Sequence, residues 1–293
     1  MHVFVTGGTG AIGSTVVAEL LANGHTVLAL ARSDKSAQTL KDAGAKVLRG
    51  ELADLNVLRA GVAQSDGVIN LAFTPAYTTA DALAAAITEE SAAMAVLGEA
   101  LIGSDRPIVT VSVTPRVAGR ASTEADPVST DGPAGGRGRS VIALLELASR
   151  GVRATAVRVA RTVHNKGKGG FASLLTDHAR RTGVAGYPGD GTQRWAAVHA
   201  LDAAVLFRLA LESAPAGTAW HAVADEGDAV RDIVTVIGRR LGLPVEAVPQ
   251  ETFAPFGAIF ALDQPASSAH TRAALGWEPT HPRLLDDLEN IQP

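Results

Sequence analysis

An α/β fold, a doubly wound parallel sheet followed by a smaller, mainly helical C-terminal part, is predicted by three observations on the 293-residue chain. Short apolar runs alternate with segments of helical period up to Ala160. The connections between them are short. Beyond Ala160 strand signals thin out and helical segments alternate with prolines. Strands and helices alternating on short connections specify parallel pairing, since each crossover lays a helix over the sheet.

The first strand is Val3-Phe4-Val5, followed by a glycine turn and a helix marked by Val16, Val17, Leu20 and Leu21, which closes at Asn23-Gly24. Thr26 to Leu30 reads as a buried parallel strand, and a helix then runs to Gly44. Lys46–Arg49 is a third strand, and a short helix follows Asp54. Gly67 to Ala72 is a fourth. A loop with Pro75 and Tyr77 leads into an alanine-rich helix over Asp81–Ile102, then a fifth strand over Pro107–Ser112. Thr114 to Arg139, rich in Pro, Gly, Ser and charge, reads as a long loop, of a length that is usually functional or mobile. A helix over Ser140–Arg150 and a strand over Ala154–Val159 close a first domain of residues 1–160, to which a helix and strand near 200–224 return. Residues 161–199 and 225–293 form a smaller domain, with helices at Phe171–Arg181, Ala229–Leu241, Phe253–Leu262, Thr271–Leu275 and Arg283–Asn290.

Composition narrows the function classes. Hydrophobic residues make up 46% of the chain, enough for a substantial core, and a formal net charge of −4 gives no bulk attraction for nucleic acid or an anionic membrane. Cysteine is absent, which excludes disulfides, thiolate chemistry and cysteine-ligated metal. No basic-then-apolar leader and no bilayer-spanning run is present, so a soluble cytoplasmic protein is expected, as a monomer or homodimer. His164, His199 and His221 lack metal-ligand spacing, so no metal is expected.

The strongest motif is Thr6-Gly7-Gly8-Thr9-Gly10-Ala11-Ile12-Gly13. Placed after a strand and before a helix, it has the context of a dinucleotide site. One glycine permits the turn, one lets backbone approach a pyrophosphate, and one lets helix and strand pack closely. The helix N-terminus offers free N–H groups to the phosphates. By itself a glycine triplet is equally an ordinary tight turn; the flanking elements favour the nucleotide.

With further residues, the chain resembles the extended short-chain dehydrogenase/reductase superfamily, of the NAD-dependent epimerase/dehydratase type. The likeness is carried by Thr6-Gly7-x-x-Gly10-x-x-Gly13, Glu51-Leu52, Asn70-Leu71-Ala72 and Val111-Ser112-Val113-Thr114 with Gly119. It continues through Tyr187-x-Gly189-Asp190-Gly191, Trp195, Val198-His199-x-x-Asp202-Ala203-Ala204 and Leu275-Gly276-Trp277-Glu278-Pro279. The resemblance implies a Rossmann domain carrying the cofactor and a discontinuous C-terminal domain covering a small-molecule substrate. Thr6, Gly7, Thr9, Gly10, Ala11, Ile12 and Gly13 would hold the pyrophosphate, Glu51 and Leu52 border the adenine, and Leu71, Ala72, Phe73 and Ser112 lie toward the ribose and nicotinamide. At the end of the second strand a carboxylate suits NAD and an arginine suits the 2′-phosphate of NADP. The chain has Arg32-Ser33 there and no acid before Asp34, so NADP(H) is expected over NAD.

The superfamily's usual machinery is a Ser or Thr after the fifth strand and a Tyr-x-x-x-Lys on the next helix. Thr114 takes the first position. Arg137 and Val141 stand where the tyrosine and lysine belong, and neither Tyr77 nor Tyr187 precedes a lysine by four residues. Thr114, Tyr77 and Arg137 are therefore the candidate catalytic residues: a substrate-oxygen holder, a proton donor from the loop after the fourth strand, and a polarising or anion-binding cation. His164 is a candidate proton relay. Arg116, Arg120 and Arg139 read as a solvated basic rim, Trp195 and Tyr187 as pocket wall or core. Three functions stay open: an NADP(H)-dependent reductase of a carbonyl-like or otherwise activated substrate, an NADP(H)-binding sensor without turnover, and a non-redox isomerase or lyase.

Overall fold

The computed structural model describes residues 1–74 and 79–292. The elements begin with β1 (His2–Thr6), α1 (Gly13–Ala22), β2 (Thr26–Ala31), α2 (Asp34–Asp42), β3 (Lys46–Arg49), α3 (Leu55–Ala63) and β4 (Gly67–Asn70). Next come α4 (Ala80–Glu99), β5 (Pro107–Val113), α5 (Gly135–Glu146), β6 (Arg153–Val159), β7 (Thr162–His164), α6 (Gly170–Thr182), β8 (Ala185–Pro188), β9 (Arg194–His199) and α7 (Ala200–Ser213). The chain ends with β10 (Thr218–Ala222), β11 (Asp225–Ala229), α8 (Val230–Leu241), β12 (Val245–Val248), α9 (Gly257–Phe260), α10 (Ala269–Leu275) and α11 (Leu284–Leu288).

Among the described residues, a seven-stranded sheet has the order β10-β6-β5-β4-β1-β2-β3. The β1/β2, β1/β4, β2/β3 and β4/β5 pairs are parallel. The order reverses between β1 and β4, the switch point at which doubly wound sheets bind ligands. Thr6 pairs with Asn70 and Asn70 with Thr110, so three polar residues form one row at that point.

The chain clusters into two compact units. One comprises Met1–Ser112, Val128–Arg158 and Ala204–Trp220; the other comprises Val113–Pro127, Val159–Ala203 and His221–Pro293. The first has an apolar core of Phe4, Leu58, Val68, Met94, Leu97, Ile108 and Leu144, all buried. Apolar side chains on both sheet faces explain why its strands read as continuous runs rather than alternating ones. The second is built on Trp195, Phe253, Phe260 and the α8 stripe Val230, Ile233, Val234 and Ile237, whose spacing lines one helix face. Two of its sequence motifs meet at Asp202. That carboxylate accepts from Thr280 N at 3.0 Å, His281 N at 3.2 Å and His281 Nδ1 at 2.7 Å, while Trp277 Nε1 donates to its backbone carbonyl at 2.9 Å.

Several boundaries differ from the sequence reading. Helix α5 begins at Gly135, five residues before the expected start, and ends in a 3-10 turn over Leu147–Arg150. The expected helix over Phe253–Leu262 is broken: Pro255 lacks an N–H, and a 3-10 turn at Gln250–Phe253 precedes the short α9. Strand β4 stops at Asn70 because the N–H groups of Leu71 and Ala72 turn to Thr6. Strands β7, β8, β11 and β12, of three to five residues, add small sheets of order β11-β9-β7 and β12-β8 to the second unit.

One residue of that unit opposes folding. Burial, reinforced by Asp225, raises the Asp228 carboxyl to about 6, and its Oδ2 is buried without a hydrogen-bond partner. A carboxyl whose folded pKa is raised stabilises the fold when protonated, and that contribution is lost as pH climbs from the unfolded value of 3.8 through about 6. Asp228→Asn is therefore expected to stabilise the protein by about 2 kcal/mol at pH 7, with the gain vanishing near pH 4. Urea melts at the two pH values check this; equal gains at both would refute it.

Candidate functional site

The glycine turn occupies the β1–α1 connection at the switch point. Gly7 has φ 72°, a left-handed backbone that favours glycine. A Cβ on it would lie 2.7 Å from Ala72 N and 2.7 Å from the Leu71 carbonyl carbon; a Cβ on Gly13 would lie 2.0 Å from Gly7 O. Gly10 differs, since a Cβ there would meet only Gly7 O, at 3.3 Å. Gly7 and Gly13 thus close the turn, while Gly10 faces open space beside the exposed Thr9 and Ala11. Helix α1 starts after Ile12 with no side-chain cap and no acid in its first turn, leaving its N–H groups to an anion. These features fit the pyrophosphate of a dinucleotide.

Thr6 works beneath the cradle. Its hydroxyl, fully buried, donates to Asn70 Oδ1 at 2.7 Å and accepts from the Leu71 and Ala72 N–H groups at 3.2 Å each. It pins the segment Leu71-Ala72-Phe73 to the end of β1. Asn70 Nδ2 in turn donates to Thr110 Oγ1 at 3.4 Å, and Ser112 is buried further along β5.

At the end of β2, Arg32 is exposed and makes no hydrogen bond or ion pair among the described residues. Ser33 caps α2: its Oγ accepts from Ser36 N at 3.1 Å in a capping box. Asp34, the acid nearest Arg32 in sequence, forms an exposed ion pair with Arg49 at 3.1 Å. Glu51 is exposed, while Leu52 joins Leu28 and Leu30 in the core.

Arg137 lies in the first turn of α5 and is clamped. Its Nε and Nη2 donate to Glu90 Oε2 and Oε1 at 2.7 and 2.8 Å, and its guanidinium carbon stands 4.1 Å from the Phe73 ring centroid. Such a side-on fork fixes the guanidinium plane and leaves Nη1 as the end without a partner among the described residues. Glu90, a buried acid on α4, was not singled out by the sequence; only the approach of α4 to α5, marked also by Ser91 Oγ and Ser140 Oγ at 2.6 Å, reveals it. Val141, one helical turn after Arg137, is buried. Arg137 is thus a neutralised, oriented cation, not a free anion clamp. Tyr77 lies outside the described residues.

In the second unit, Thr114 is anchored by its N–H on Val159 O at 3.1 Å, and its carbonyl accepts from Gln264 Nε2 at 2.6 Å. Its hydroxyl is buried without a hydrogen-bond partner. Arg120 is paired with Asp126 at 2.5 Å, and Arg139 bonds the Thr130 carbonyl in the first unit, so both serve their own loops. His164 is fully enclosed: Nδ1 pairs with Asp287 Oδ2 at 2.9 Å and the ring abuts His199, which stacks on His281 at 4.9 Å. Burial, then its imidazole neighbours, lowers the His199 pKa. No set of three or more His, Cys, Asp or Glu side chains among the described residues is placed to hold a metal ion, and no helix among them is long and apolar enough to cross a membrane.

Strand order, switch point and glycine cradle define a Rossmann-type dinucleotide-binding protein. A model of the NAD dependent epimerase/dehydratase family matches residues 3–223, and the chain belongs to that family. It is 41% identical to an uncharacterized protein of Schizosaccharomyces pombe and 39% identical to one of Saccharomyces cerevisiae, covering 98% of this chain and of the relative in both cases. Among solved structures, Pal from Bacillus thuringiensis has the same fold, with a TM-score of 0.80 at 19% identity over 99% of this chain and 97% of that one.

Proposed function

We propose that the protein is an NADP(H)-dependent oxidoreductase that reduces a small carbonyl-like or otherwise activated organic substrate. Bound nicotinamide supplies hydride; the chain binds, orients and protonates. The observation that carries the cofactor choice is Arg32: an exposed guanidinium without a partner among the described residues, at the end of β2, next to an acid held by Arg49. A 2′-phosphate satisfies such a guanidinium, whereas a ribose hydroxyl leaves its charge unused. Thr6–Gly13 would hold the pyrophosphate, and Thr114, whose hydroxyl has no hydrogen-bond partner, would hold the substrate oxygen. Tyr77 remains the candidate proton donor, with Tyr77→Phe as its test.

Arg32→Ala is expected to weaken NADPH binding by about 10- to 100-fold, the worth of a charge-assisted hydrogen bond, and to leave NADH unchanged. Fluorescence titration of both nucleotides measures it; an unchanged preference would show that Arg32 does not select the cofactor. Turnover is tested by following NADPH absorbance with an aldehyde, ketone, quinone and imine panel. A second reading, an NADP(H) sensor without turnover, is favoured by the Glu90–Arg137 pair, which puts no exchangeable proton donor at the position of the missing tyrosine. Tight NADPH binding with no consumption across the panel supports the sensor.

A further inference from the structure

We propose that Arg161 and Arg116 form a recognition site for an oxyanion, a carboxylate or phosphate carried by the substrate. This rests on the reductase reading for its purpose but not for its test. Arg161 follows β6 in the second unit. Its guanidinium lies against two aromatic rings, 4.9 Å from the Phe171 centroid and 5.4 Å from that of Trp195. Nη1 donates to Ile259 O at 3.1 Å, Nη2 donates to Gln264 Oε1, and Nε is buried with no partner. All four contacts, the two rings and the two hydrogen-bond acceptors, are neutral. Among the described residues no carboxylate pairs with Arg161, and the charged group acting on it is another cation, Arg116.

That arrangement is unfavourable by itself. Removing a guanidinium from water without a counter-charge costs several kcal/mol, and a second guanidinium nearby adds repulsion. Burial first, and Arg116 second, lower the Arg161 pKa to about 10, so it is charged at neutral pH. The acid closest in sequence to Gln264 is already engaged: Asp263 takes Arg194 through Nη2 at 2.8 Å, Nε at 3.1 Å and the backbone N–H at 2.6 Å. Asp263 accepts from Arg116 Nε through its backbone carbonyl at 3.3 Å, and its carboxylate, bonded to Arg194, acts on Arg116 only through its charge. Two cations with unused donors, with no carboxylate on Arg161 and on Arg116 only the distant charge of Asp263, which is bonded to Arg194, are a site for an anion from outside.

The site is tied to the candidate catalytic hydroxyl. Gln264 accepts from Arg161 through Oε1 and donates to the Thr114 carbonyl through Nε2 at 2.6 Å, so one amide spans the two residues. The ring faces hold the guanidinium plane and the amide sets its edge relative to Thr114. An oxyanion on Arg161 would orient a reactive carbonyl toward the Thr114 hydroxyl, which is buried and without a hydrogen-bond partner. The substrate class is then an anionic carbonyl compound, such as a keto acid or a phosphorylated aldehyde.

The test uses the full chain without nucleotide, so its result stands whether or not the protein turns over. Inorganic phosphate and malonate are titrated by calorimetry against wild type, Arg161→Gln, Arg116→Gln and, as a control for unspecific charge, Arg59→Gln. Saturable binding is expected in wild type and Arg59→Gln, weakened about tenfold or more in Arg161→Gln and more mildly in the exposed Arg116→Gln. Tighter malonate than phosphate, or the reverse, supports the proposal and names the oxyanion. Absence of saturable binding in wild type, or equal weakening in Arg59→Gln, overturns it. Should Arg161→Gln fail to fold, Arg116→Gln alone decides, and wild-type affinity in that variant is the overturning result.

Discussion

Gly13→Ala is expected to remove dinucleotide binding, with NADPH affinity falling by more than about 100-fold, and to lower the melting temperature as well. The added Cβ would stand 2.0 Å from Gly7 O, 2.8 Å from Gly7 C and 2.9 Å from Gly8 Cα. These are backbone atoms of a turn already set by Gly7 at φ 72°, so no side chain can swing aside. Helix α1 must lift from β1, taking its N–H groups away from the phosphates. Gly10→Ala provides the contrast. Its Cβ meets one atom, at 3.3 Å, so the fold should survive with a near-normal melt while the nucleotide loses its close approach. Nucleotide titration and thermal melting on the two variants separate the roles; wild-type affinity in Gly13→Ala would show that the turn is not the phosphate cradle.

Glu90→Ala is expected to destabilise the protein by about 2–3 kcal/mol, read as a fall of several degrees in melting temperature. The carboxylate is 3% exposed and its partner Arg137 25%, so the loss strands a cation that water reaches only in part. That partial access places the estimate below the ~3–5 kcal/mol typical of breaking a fully buried pair. Replacing both residues, as Glu90→Leu with Arg137→Leu, should recover much of the stability, because two apolar side chains leave no uncompensated charge. A double-mutant cycle measures the coupling directly. A cycle that closes to zero would mean that the ion pair contributes nothing to the packing of α4 on α5.

Much of the first unit was legible because local signals and tertiary placement agree there. The glycines at positions 7, 10 and 13 read correctly as a turn between strand and helix, and Arg32-Ser33 read correctly as the end of β2. Glu90 was not legible: inside an alanine-rich helix, beside Glu89, nothing local distinguishes an acid that faces α5 from one that faces water. The start of α5 failed for a different reason. Gly135-Gly136-Arg137-Gly138 has poor helix propensity and reads as loop, yet these glycines are what the packing demands. A Cβ at Gly138 would stand 2.0 Å from Ser129 O, one at Gly135 2.1 Å from Thr130 O, and one at Gly136 2.7 Å from an Ile87 methyl. The short strands of the second unit, such as the acidic Asp225–Ala229, carry no alternation long enough to detect. The role of Arg161 was equally hidden, since its lack of a counter-charge is a property of its surroundings.

The crowded first turn of α5 also constrains how this protein can change. Gly135 and Gly138 accept no side chain without moving backbone, and a Cβ on Gly136 would press on the Ile87 side chain, so position 137 is the one at which natural variation or a mutagenesis library samples new chemistry most freely. Whatever replaces Arg137 inherits the same two neighbours, the Glu90 carboxylate and the Phe73 ring. A lysine or histidine library at this one codon, screened with the NADPH panel, is therefore the shortest route to a proton donor at that turn.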